Sequence, residues 1–280
     1  MAEPWIETYR GTVSPWECDV TEHFTIAYYF DRVATAELAL AEALGLLEMQ
    51  RAGGFPRRYD VRFARELRAG SGFHIESAVL GAGGSYAGGL RFGHRILDSA
   101  TGETITWFDV HWDAAAAVAS DRIAAWDGPE FEPRAEPANL SGLIASARGR
   151  VKPSDLDEFG RLGLEGFVHK FTDSSVQTGA AIGLTADYIK TGRRGFSTFE
   201  LRLKIADRLA RGDSYLSRSG ITHLGNSSLR FLHVMTDAAT GREIARLGQY
   251  GVQLDLDARR PAALPPEFRE RALRLVVPAE

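Results

Sequence analysis

The chain has 280 residues, of which 44% are hydrophobic and 25% are charged, and its formal net charge at pH 7 is −4. These values exclude a disordered chain and argue against a nucleic-acid-binding protein, which usually carries a basic excess. A single cysteine, Cys18, predicts a reducing, cytoplasmic location. No segment approaches the roughly 18 consecutive apolar residues of a membrane span, and the first ten residues do not resemble a secretory signal.

The first half of the chain is predicted to form one helix and five strands. Residues 8–13 have strand character, and a polar, acidic loop follows at residues 17–22. Apolar residues at three- and four-residue steps predict a buried helix over residues 27–46, with Gly45 near its end. Alternating patterns predict four more strands, at residues 59–67, 73–80, 88–97 and 103–112. The sequence DSATG at 98–102 predicts a tight hairpin turn with Gly102 at positive φ.

The second half repeats the first. Residues 9–46 resemble 147–184 at an offset of 138, with Asp19 and Asp157 among the shared positions. LRFGHRILDSATG at 90–102 matches LRFLHVMTDAATG at 229–241, and residues 67–70 match 209–212. These collinear blocks predict a first repeat over residues 1–130, a linker over 131–143 and a second repeat over 144–280. One helix beside one antiparallel sheet in each repeat predicts an α+β fold, with ligand sites in a cleft between the two copies.

The loop ahead of each predicted helix holds the candidate chemistry. The first loop reads ECDVTEHF at 17–24 and the second reads DLDEFGRL at 155–162, so Asp19 and Asp157 occupy the same position. A carboxylate there could act as a general base or a nucleophile, and backbone amides at the helix start could bind an oxyanion. Alternatively, each aspartate caps its helix.

The first loop and the order of elements resemble the hotdog-fold acyl-CoA thioesterases of the 4-hydroxybenzoyl-CoA thioesterase type. Their loop commonly reads D-x-x-G-H-x-N-N-x-x-Y, which Asp19, His23 and Tyr29 match, and the H-x-x-x-D-x-x-T-G turn at 94–102 also fits. The resemblance covers both halves and implies a double hotdog, two repeats each with a central helix wrapped by an antiparallel sheet. It also implies hydrolysis of an acyl-CoA to a carboxylic acid and coenzyme A. Asp19 would activate water or attack the thioester directly, His23 would orient water or substrate, and amides near Ala27 and Tyr28 would polarise the carbonyl.

Both loops depart from the family pattern. Glu22 stands in place of the glycine, and Thr25 and Ile26 stand in place of the two asparagines. The second loop keeps Asp157 and Gly160 but has Arg161 and Phe167 where the family has histidine and tyrosine. We therefore expect one complete site on the first loop, against the second helix, and a second loop diverged toward binding. The expected catalytic residues are Asp19, His23 and Asp157, and Glu22, Tyr29 and Arg161 are expected to bind substrate.

Other polar residues are weaker candidates for a role in the site. The pairs Arg57–Arg58 and Arg193–Arg194 precede the second strand of each repeat, and they either bind the phosphates of coenzyme A or are ordinary surface charges. The matched histidines His94 and His233 favour a structural role. Glu37 is a second candidate catalytic carboxylate or a solvated carboxylate on the helix surface. No metal-binding spacing is present, so we predict no metal, and no cofactor beyond the coenzyme A moiety of the substrate.

Two alternative functions remain open. The first is a hotdog-fold enoyl-CoA hydratase or dehydratase, because Asp173-x-x-x-Gln177 on the second helix resembles a pattern of double-hotdog dehydratases. The second is a non-catalytic acyl-CoA-binding module, since a fold does not determine a function. The expected partner is a small-molecule acyl-CoA, with no nucleic acid and no membrane. We expect a monomeric pseudo-dimer or a homodimer of double hotdogs.

Overall fold

The computed structural model describes residues 4–19, 21–81, 89–113, 118–137 and 139–278. The chain forms two compact units. The first unit comprises Met1–Phe131, Asp157–Phe159 and Gly163–Val168, and the second comprises Glu132–Leu156, Gly160–Leu162 and His169–Glu280. In the described part of the chain, no helix is long and apolar enough to span a membrane.

The first unit consists of a mainly antiparallel sheet and a long helix. Its elements are β1 Ile6–Thr12, α1 Ile26–Ala43, α2 Leu47–Arg51, β2 Arg58–Phe63, β3 Gly72–Leu80, β4 Leu90–Asp98, β5 Thr104–Trp112 and β6 Ile123–Ala124. The five longer strands form an antiparallel sheet in the order β1-β3-β4-β5-β2, and the short β6 pairs in parallel with β3. These positions agree with the predicted strands to within a few residues. Gly88, the predicted start of the third of them, lies outside the described residues.

Helix α1 forms where the apolar periodicity predicts it. Its buried face includes Phe30, Val33 and Leu40, and the Phe30 ring meets the Phe108 ring of β5 edge-on at 5.1 Å between centroids. Burying a side chain of this size contributes about 2 kcal/mol, so this face holds the helix against the sheet. The helix ends three residues earlier than predicted, and Gly45 follows it with φ of +72°, the left-handed conformation that glycine adopts without strain.

The second unit repeats this arrangement. Its elements are β7 Ile144–Arg150, α3 Leu164–Ile182 (of which residues 164–168 fall in the first unit), α4 Ala186–Gly192, β8 Arg194–Ile205, β9 Ser214–Leu224, β10 Ser228–Asp237, β11 Glu243–Asp255, β12 Arg260–Pro261 and α5 Pro266–Leu273. The strand order β8-β11-β10-β9-β7 is the order of the first unit with each strand replaced by its repeat counterpart. This confirms the predicted α+β double-hotdog fold. The sequence patterns did not predict β12 and α5, which follow the last strand of the repeat.

The two predicted hairpin turns have the same construction. Gly102 and Gly241 have φ of +71° and +74°, and each amide donates to the carbonyl four residues earlier at 2.8 Å. In the first turn, the Asp98 carboxylate accepts the amide of Ala100 at 2.7 Å. In the second turn, Asp237 accepts the amide of Ala239 at 2.8 Å. The repeated side-chain contact explains why the D-x-x-T-G sequence survives in both halves.

Around the predicted linker, the described residues of 127–141 form no helix or strand, and charged contacts hold this connector. In the first unit, Asp127 pairs with Arg95 of β4. In the second unit, Arg134 donates to both carboxylate oxygens of Glu200 at 2.9 and 3.2 Å, and Glu136 pairs with Lys204 at 2.8 Å. Each end of this connector is therefore fixed to the sheet of the unit to which it belongs.

Candidate active site

The first loop is a small closed hairpin ahead of α1. Cys18 and Phe24 pair as an antiparallel bridge, and the Asp19 amide donates to the His23 carbonyl at 2.8 Å. Glu22 lies at the turn with φ of +64°, and Gly160 has φ of +76° at the same position of the second loop. A residue with a Cβ costs roughly 1 kcal/mol in this conformation, which explains why the family has glycine there.

Asp19 organises the first loop with one of its carboxylate oxygens. Its Oδ1 accepts the Thr21 amide at 2.7 Å, the Thr21 hydroxyl at 2.6 Å and the His23 amide at 3.2 Å. The alternative that Asp19 caps the helix is wrong, because α1 begins at Ile26 and its N-cap residue is Thr25. Asp19 is exposed, so solvent reaches its carboxylate.

Thr21 connects Asp19 to His23. Its hydroxyl donates its proton to Asp19 and lies 3.0 Å from His23 Nδ1. The hydroxyl oxygen can therefore accept a hydrogen bond from a protonated Nδ1. On the other side of the ring, Nε2 lies 3.0 Å from both Arg68 Nη2 and Glu66 Oε2. Neutral His23 therefore accepts from Arg68, and protonated His23 donates to Glu66. The imidazole therefore lies in a continuous chain of hydrogen bonds that runs from Asp19 through Thr21 to Arg68.

Thr21, Glu66 and Arg68 are site residues that the sequence did not predict. Thr21 lies two residues after Asp19, the spacing at which an aspartate accepts hydrogen bonds from its own loop. Arg68 lies in the first copy of the short repeat block, residues 67–70, and forms a backbone bridge with His23, and Glu66 immediately precedes the block. That repeat could have drawn attention to this segment, but it does not reveal which loop the segment contacts.

Two residues expected near the substrate have structural contacts instead. Tyr29 is only 3% exposed, its hydroxyl accepts the Leu67 amide at 3.2 Å, and burial raises the pKa of its phenol. The Tyr28 amide donates to the Thr25 carbonyl at 3.0 Å, which removes it from the expected oxyanion site. Ala27 then remains the candidate amide at the start of α1. Glu22 has an exposed side chain, 4.0 Å from Arg68.

The second loop differs from the first in its side-chain contacts. The Asp157 Oδ1 accepts the Phe159 amide at 3.0 Å, and α3 begins only at Leu164, so Asp157 does not cap its helix either. Arg161 takes the place of His23 and forms the equivalent backbone bridge, with Ala210 in place of Arg68. Asp157 and Arg161 belong to different units. Of the expected residues, the structure therefore brings together Asp19, Glu22 and His23.

The arginine pairs are engaged by other groups. Arg58 pairs with Asp60 at 2.5 Å, Arg193 with Asp257 at 3.0 Å and Arg194 with Asp255 at 2.9 Å. The Arg57 guanidinium lies 4.2 Å from the centroid of the Phe55 ring. Neighbouring carboxylates neutralise three of the four arginines, which weakens the case for phosphate binding at these positions.

A chain of buried polar groups lies in each unit. In the first, Thr8, Ser77 and His94 are joined by contacts of 2.6 Å, and in the second, Ser146, Ser219 and His233 are joined by contacts of 2.7 and 2.6 Å. Burial lowers the pKa of His94 to about 3 and that of His233 to about 4, so both are neutral at pH 7. Their repeated, buried setting supports the structural role expected for them.

Glu37 lies inside the first unit. It is 6% exposed and accepts the Tyr59 hydroxyl at 3.2 Å, so the alternative of a solvated surface carboxylate is wrong. The second unit has Ser175 at the same position, where it donates to Gln249 at 2.8 Å. The two units therefore differ at the middle of their central helices, which carry a carboxyl group in one unit and a hydroxyl group in the other.

An ion pair ties each loop to its central helix. Glu17 accepts the Ser14 amide at 2.9 Å and pairs with Arg32 of α1. In the second unit, Asp155 accepts the Lys152 amide at 2.7 Å and pairs with Lys170 of α3 at 2.7 Å. Burial opposes ionisation of Asp155, but these two partners lower its pKa below the ordinary value. Both units therefore have an ion pair between loop and helix at this position, formed by different residues.

Comparison with known proteins identifies a family pattern in the second half of the chain. A model of the thioesterase-like superfamily matches residues 151–272, which include the whole of the second loop and of α3. This match confirms the predicted resemblance to thioesterases. No curated protein matches the chain.

Solved structures show the same fold over nearly the whole chain. An acyl-ACP thioesterase from Bacteroides thetaiotaomicron aligns with a TM-score of 0.67 at 11% identity, covering 90% of this chain and 98% of the other. A 12:0-ACP thioesterase from Umbellularia californica aligns with a TM-score of 0.62 at 14% identity, covering 90% and 95%. At these identities the likeness is one of fold, and it extends over both units.

Proposed function

We propose that this thioesterase-like protein hydrolyses an acyl thioester at the Asp19 loop, residues 17–24. The observation that carries the proposal is the hydrogen-bonded chain from Asp19 through Thr21 to His23, in the loop that the family uses for this reaction. Hydrogen bonds to Oδ1 hold the Asp19 carboxylate in place, and Oδ2 is the candidate base. A fixed, solvent-accessible carboxylate of this kind can remove a proton from an attacking water.

The proposed reaction needs no group beyond those of the loop and helix. Asp19 takes a proton from water, whose oxygen forms a bond to the thioester carbonyl carbon. The Ala27 amide at the start of α1 stabilises the oxyanion. The carbon–sulfur bond then breaks, and the thiolate takes the proton from protonated Asp19, which restores the aspartate and leaves a carboxylic acid and a free thiol. Direct attack by Asp19, with hydrolysis of the resulting anhydride, gives the same products.

The substrate is proposed to be a thioester of phosphopantetheine. Coenzyme A and acyl carrier proteins both present this arm, so an acyl-CoA and an acyl carrier protein offer the same reacting bond. The ion pairs of Arg58, Arg193 and Arg194 argue against a coenzyme A phosphate site built from these arginines. Relatives of the same fold named for acyl-ACP substrates support testing both carriers.

The test is a screen for released thiol over short, long, branched and aromatic acyl groups, each on coenzyme A and on an acyl carrier protein. We expect thiol release on at least one substrate. A change in enoyl absorbance without thiol release would favour the hydratase alternative. Ligand binding without turnover across the screen would favour the non-catalytic module.

A further inference from the structure

Charge is distributed unevenly between the two parts of the chain. Residues 1–131 contain 11 Lys and Arg against 19 Asp and Glu, a net charge of −8. Residues 132–280 contain 22 against 18, a net charge of +4. A tandem duplication starts with equal charge in both copies, so this difference arose by divergence. A basic excess in one unit of an acidic protein raises the question of where the cations lie.

Four exposed arginines cluster at one edge of the second unit. We call them the arginine edge: Arg148 and Arg150 on β7, Arg218 on β9, and Arg211 in the turn before β9. Arg148 lies opposite Leu216 and Arg150 opposite Ser214, so both share a sheet face with Arg218, while Tyr215 and Ser217 point into the core. The Arg150 guanidinium donates to the Gly212 carbonyl at 2.9 Å, which brings it to the turn that carries Arg211.

The arginine edge lacks counter-charges. Among the residues that the structure describes, no carboxylate lies within 4.0 Å of the charged nitrogens of these four arginines. The strand β7 is at the border of the sheet of the second unit, so the edge is open to solvent. Edge strands often carry charges that discourage pairing with other strands, but ion-paired charges meet that need as well.

The first unit serves as an internal control. Arg10 occupies the position of Arg148 and pairs with Glu7. Glu76 occupies the position of Arg218 and pairs with Arg95. The residue matching Arg150 is Thr12 and the one matching Arg211 is Ala69. In the second unit, Ala145 replaces the partner of Arg10, and Val234 replaces the partner of Glu76. Compared with the first unit, the second unit therefore has arginine at three further positions of this edge, and it lacks the carboxylate that pairs with Arg10.

We infer that the arginine edge is a docking surface for an acidic protein, namely an acyl carrier protein that delivers the thioester. This inference rests on the proposed function and specifies its substrate. From Ser214 to Arg218 the strand extends about 13 Å, which suits a protein surface better than a single phosphate. The net charge of −8 over residues 1–131 disfavours a long polyanion such as nucleic acid. Exposed charge pairs of this kind raise the association rate and select the partner.

The test compares two variants with equal changes in charge. The edge variant combines Arg148→Ala, Arg150→Ala, Arg211→Ala and Arg218→Ala. The control variant combines Arg10→Ala, Arg51→Ala, Arg65→Ala and Arg274→Ala, which removes four cations whose side chains are 57 to 73% exposed. Binding of a fluorescently labelled holo acyl carrier protein is measured by anisotropy at low and high salt. Thermal unfolding of each variant verifies that it is folded.

We expect the wild type to bind at low salt and to weaken as salt is added. The edge variant should bind at least about tenfold more weakly, and the control variant should bind within about twofold of the wild type. Equal losses in both variants, or no loss in the edge variant, would overturn the inference. Displacement of the carrier protein by heparin or by anionic vesicles at equal charge concentration would also overturn the inference, because it would show that the edge binds any polyanion.

Kinetics separate this inference from the proposed function. With an acyl carrier protein as substrate, the edge variant should have a KM at least about tenfold higher with little change in kcat. Its turnover of an acyl-pantetheine, which lacks the protein carrier, should equal that of the wild type. An equal loss on both substrates would overturn a docking role. If no thioester is hydrolysed at all, the proposed function fails, and the anisotropy measurement still decides whether the edge binds the carrier protein.

Discussion

Thr21 is the residue on which the geometry of the candidate site depends. Its hydroxyl donates to Asp19 and accepts from the Nδ1–H of His23, so it fixes the tautomer of the imidazole and the position of the carboxylate. A hydroxyl in this position links two titratable groups that would otherwise sample several rotamers in an exposed loop.

We predict that Thr21→Val lowers kcat for thioester hydrolysis by roughly tenfold or more, because it removes the link and keeps the shape of the side chain. Thr21→Ser retains the hydroxyl and should keep most of the activity. The measurement is steady-state kinetics on the best substrate of the screen. Equal activity of the valine and serine variants would show that the link is not used.

The buried histidines predict a specific dependence of stability on pH. The pKa of His94 is lowered to about 3 and that of His233 to about 4, whereas an unfolded chain has a histidine pKa of about 6.5. As the pH falls below 6.5, the unfolded state gains protons that the folded state does not take up. The free energy of unfolding therefore decreases as the pH falls from about 6.5 toward about 4, by about 1.4 kcal/mol per pH unit for each histidine.

His94→Gln should remove about half of this dependence, because one of the two buried imidazoles is then absent. Urea unfolding of the wild type and the variant over this pH range measures it, and His233→Gln serves as the matched variant in the second unit. A slope that neither substitution changes would contradict the assignment to these histidines.

The sequence predicted part of the site at this scale. The spacing of Asp19 and His23 within one short loop is a local property, so their proximity could be predicted. Glu66 and Arg68 lie more than 40 positions further along the chain than His23, and only the folded sheet brings them to the imidazole. The family pattern also suggested Tyr29 as a substrate contact, but a pattern does not distinguish a side chain that contacts substrate from one that packs beneath the loop.

At the scale of elements, the loop and the central helix are joined by the ion pair of Glu17 and Arg32. The Glu17 side chain is 8% exposed and that of Arg32 is 18% exposed, so water screens the pair weakly. The same tie in the second unit uses Asp155 and Lys170. A helix start held in this way keeps its amides at a constant position relative to the loop.

We predict that Arg32→Met lowers the free energy of unfolding by about 2 kcal/mol, because it leaves the Glu17 carboxylate buried without its charged partner. Arg32→Lys should lose less, since the second unit uses lysine in this role. Arg51→Met is the matched control, because its partner Glu48 is largely exposed, and it should have nearly no effect. Urea unfolding tests all three, and a loss from Arg51→Met as large as that from Arg32→Met would contradict the account.

The connector is the element whose behaviour is hardest to predict from sequence. Its proline and acidic residues are typical of a flexible linker, but its contacts are long-range. Arg134 donates to Glu200 of β8, and its guanidinium lies 4.7 Å from the centroid of the Tyr250 ring. The amino-acid composition of a segment indicates its local backbone preference, but it does not show which distant residues the segment contacts.

Trypsin should therefore cut slowly after Arg134 in the folded protein. Glu200→Gln replaces a charged bidentate partner by a neutral one, and we predict cleavage about tenfold faster, because local opening then costs about 1.4 kcal/mol less. Glu48→Gln, at a distant exposed pair, should leave the rate unchanged. Rapid cleavage of the wild type at Arg134 would show that the connector is not held.

For the whole molecule, the recurrence of one order of elements in both units explains both what could be predicted and what could not. Helix periodicity, strand alternation and the D-x-x-T-G turns recur in both halves, so each half supports the assignment of the other and the fold could be predicted. Function depends on the positions at which the copies differ. Three pairs of repeat positions have different contacts in the two copies, namely His23 and Arg161, Glu37 and Ser175, and Arg10 and Arg148. Only the structure gives those contacts.

The substitution Asp19→Asn tests the central claim most directly. Asparagine keeps an oxygen that can accept the hydrogen bonds of the loop, but it cannot act as a base, so the variant should fold normally. We predict that kcat/KM for the best thioester falls at least about 100-fold, and that Asp157→Asn in the second loop causes a smaller loss. Thiol release by the Asp19→Asn variant at the rate of the wild type would contradict the account.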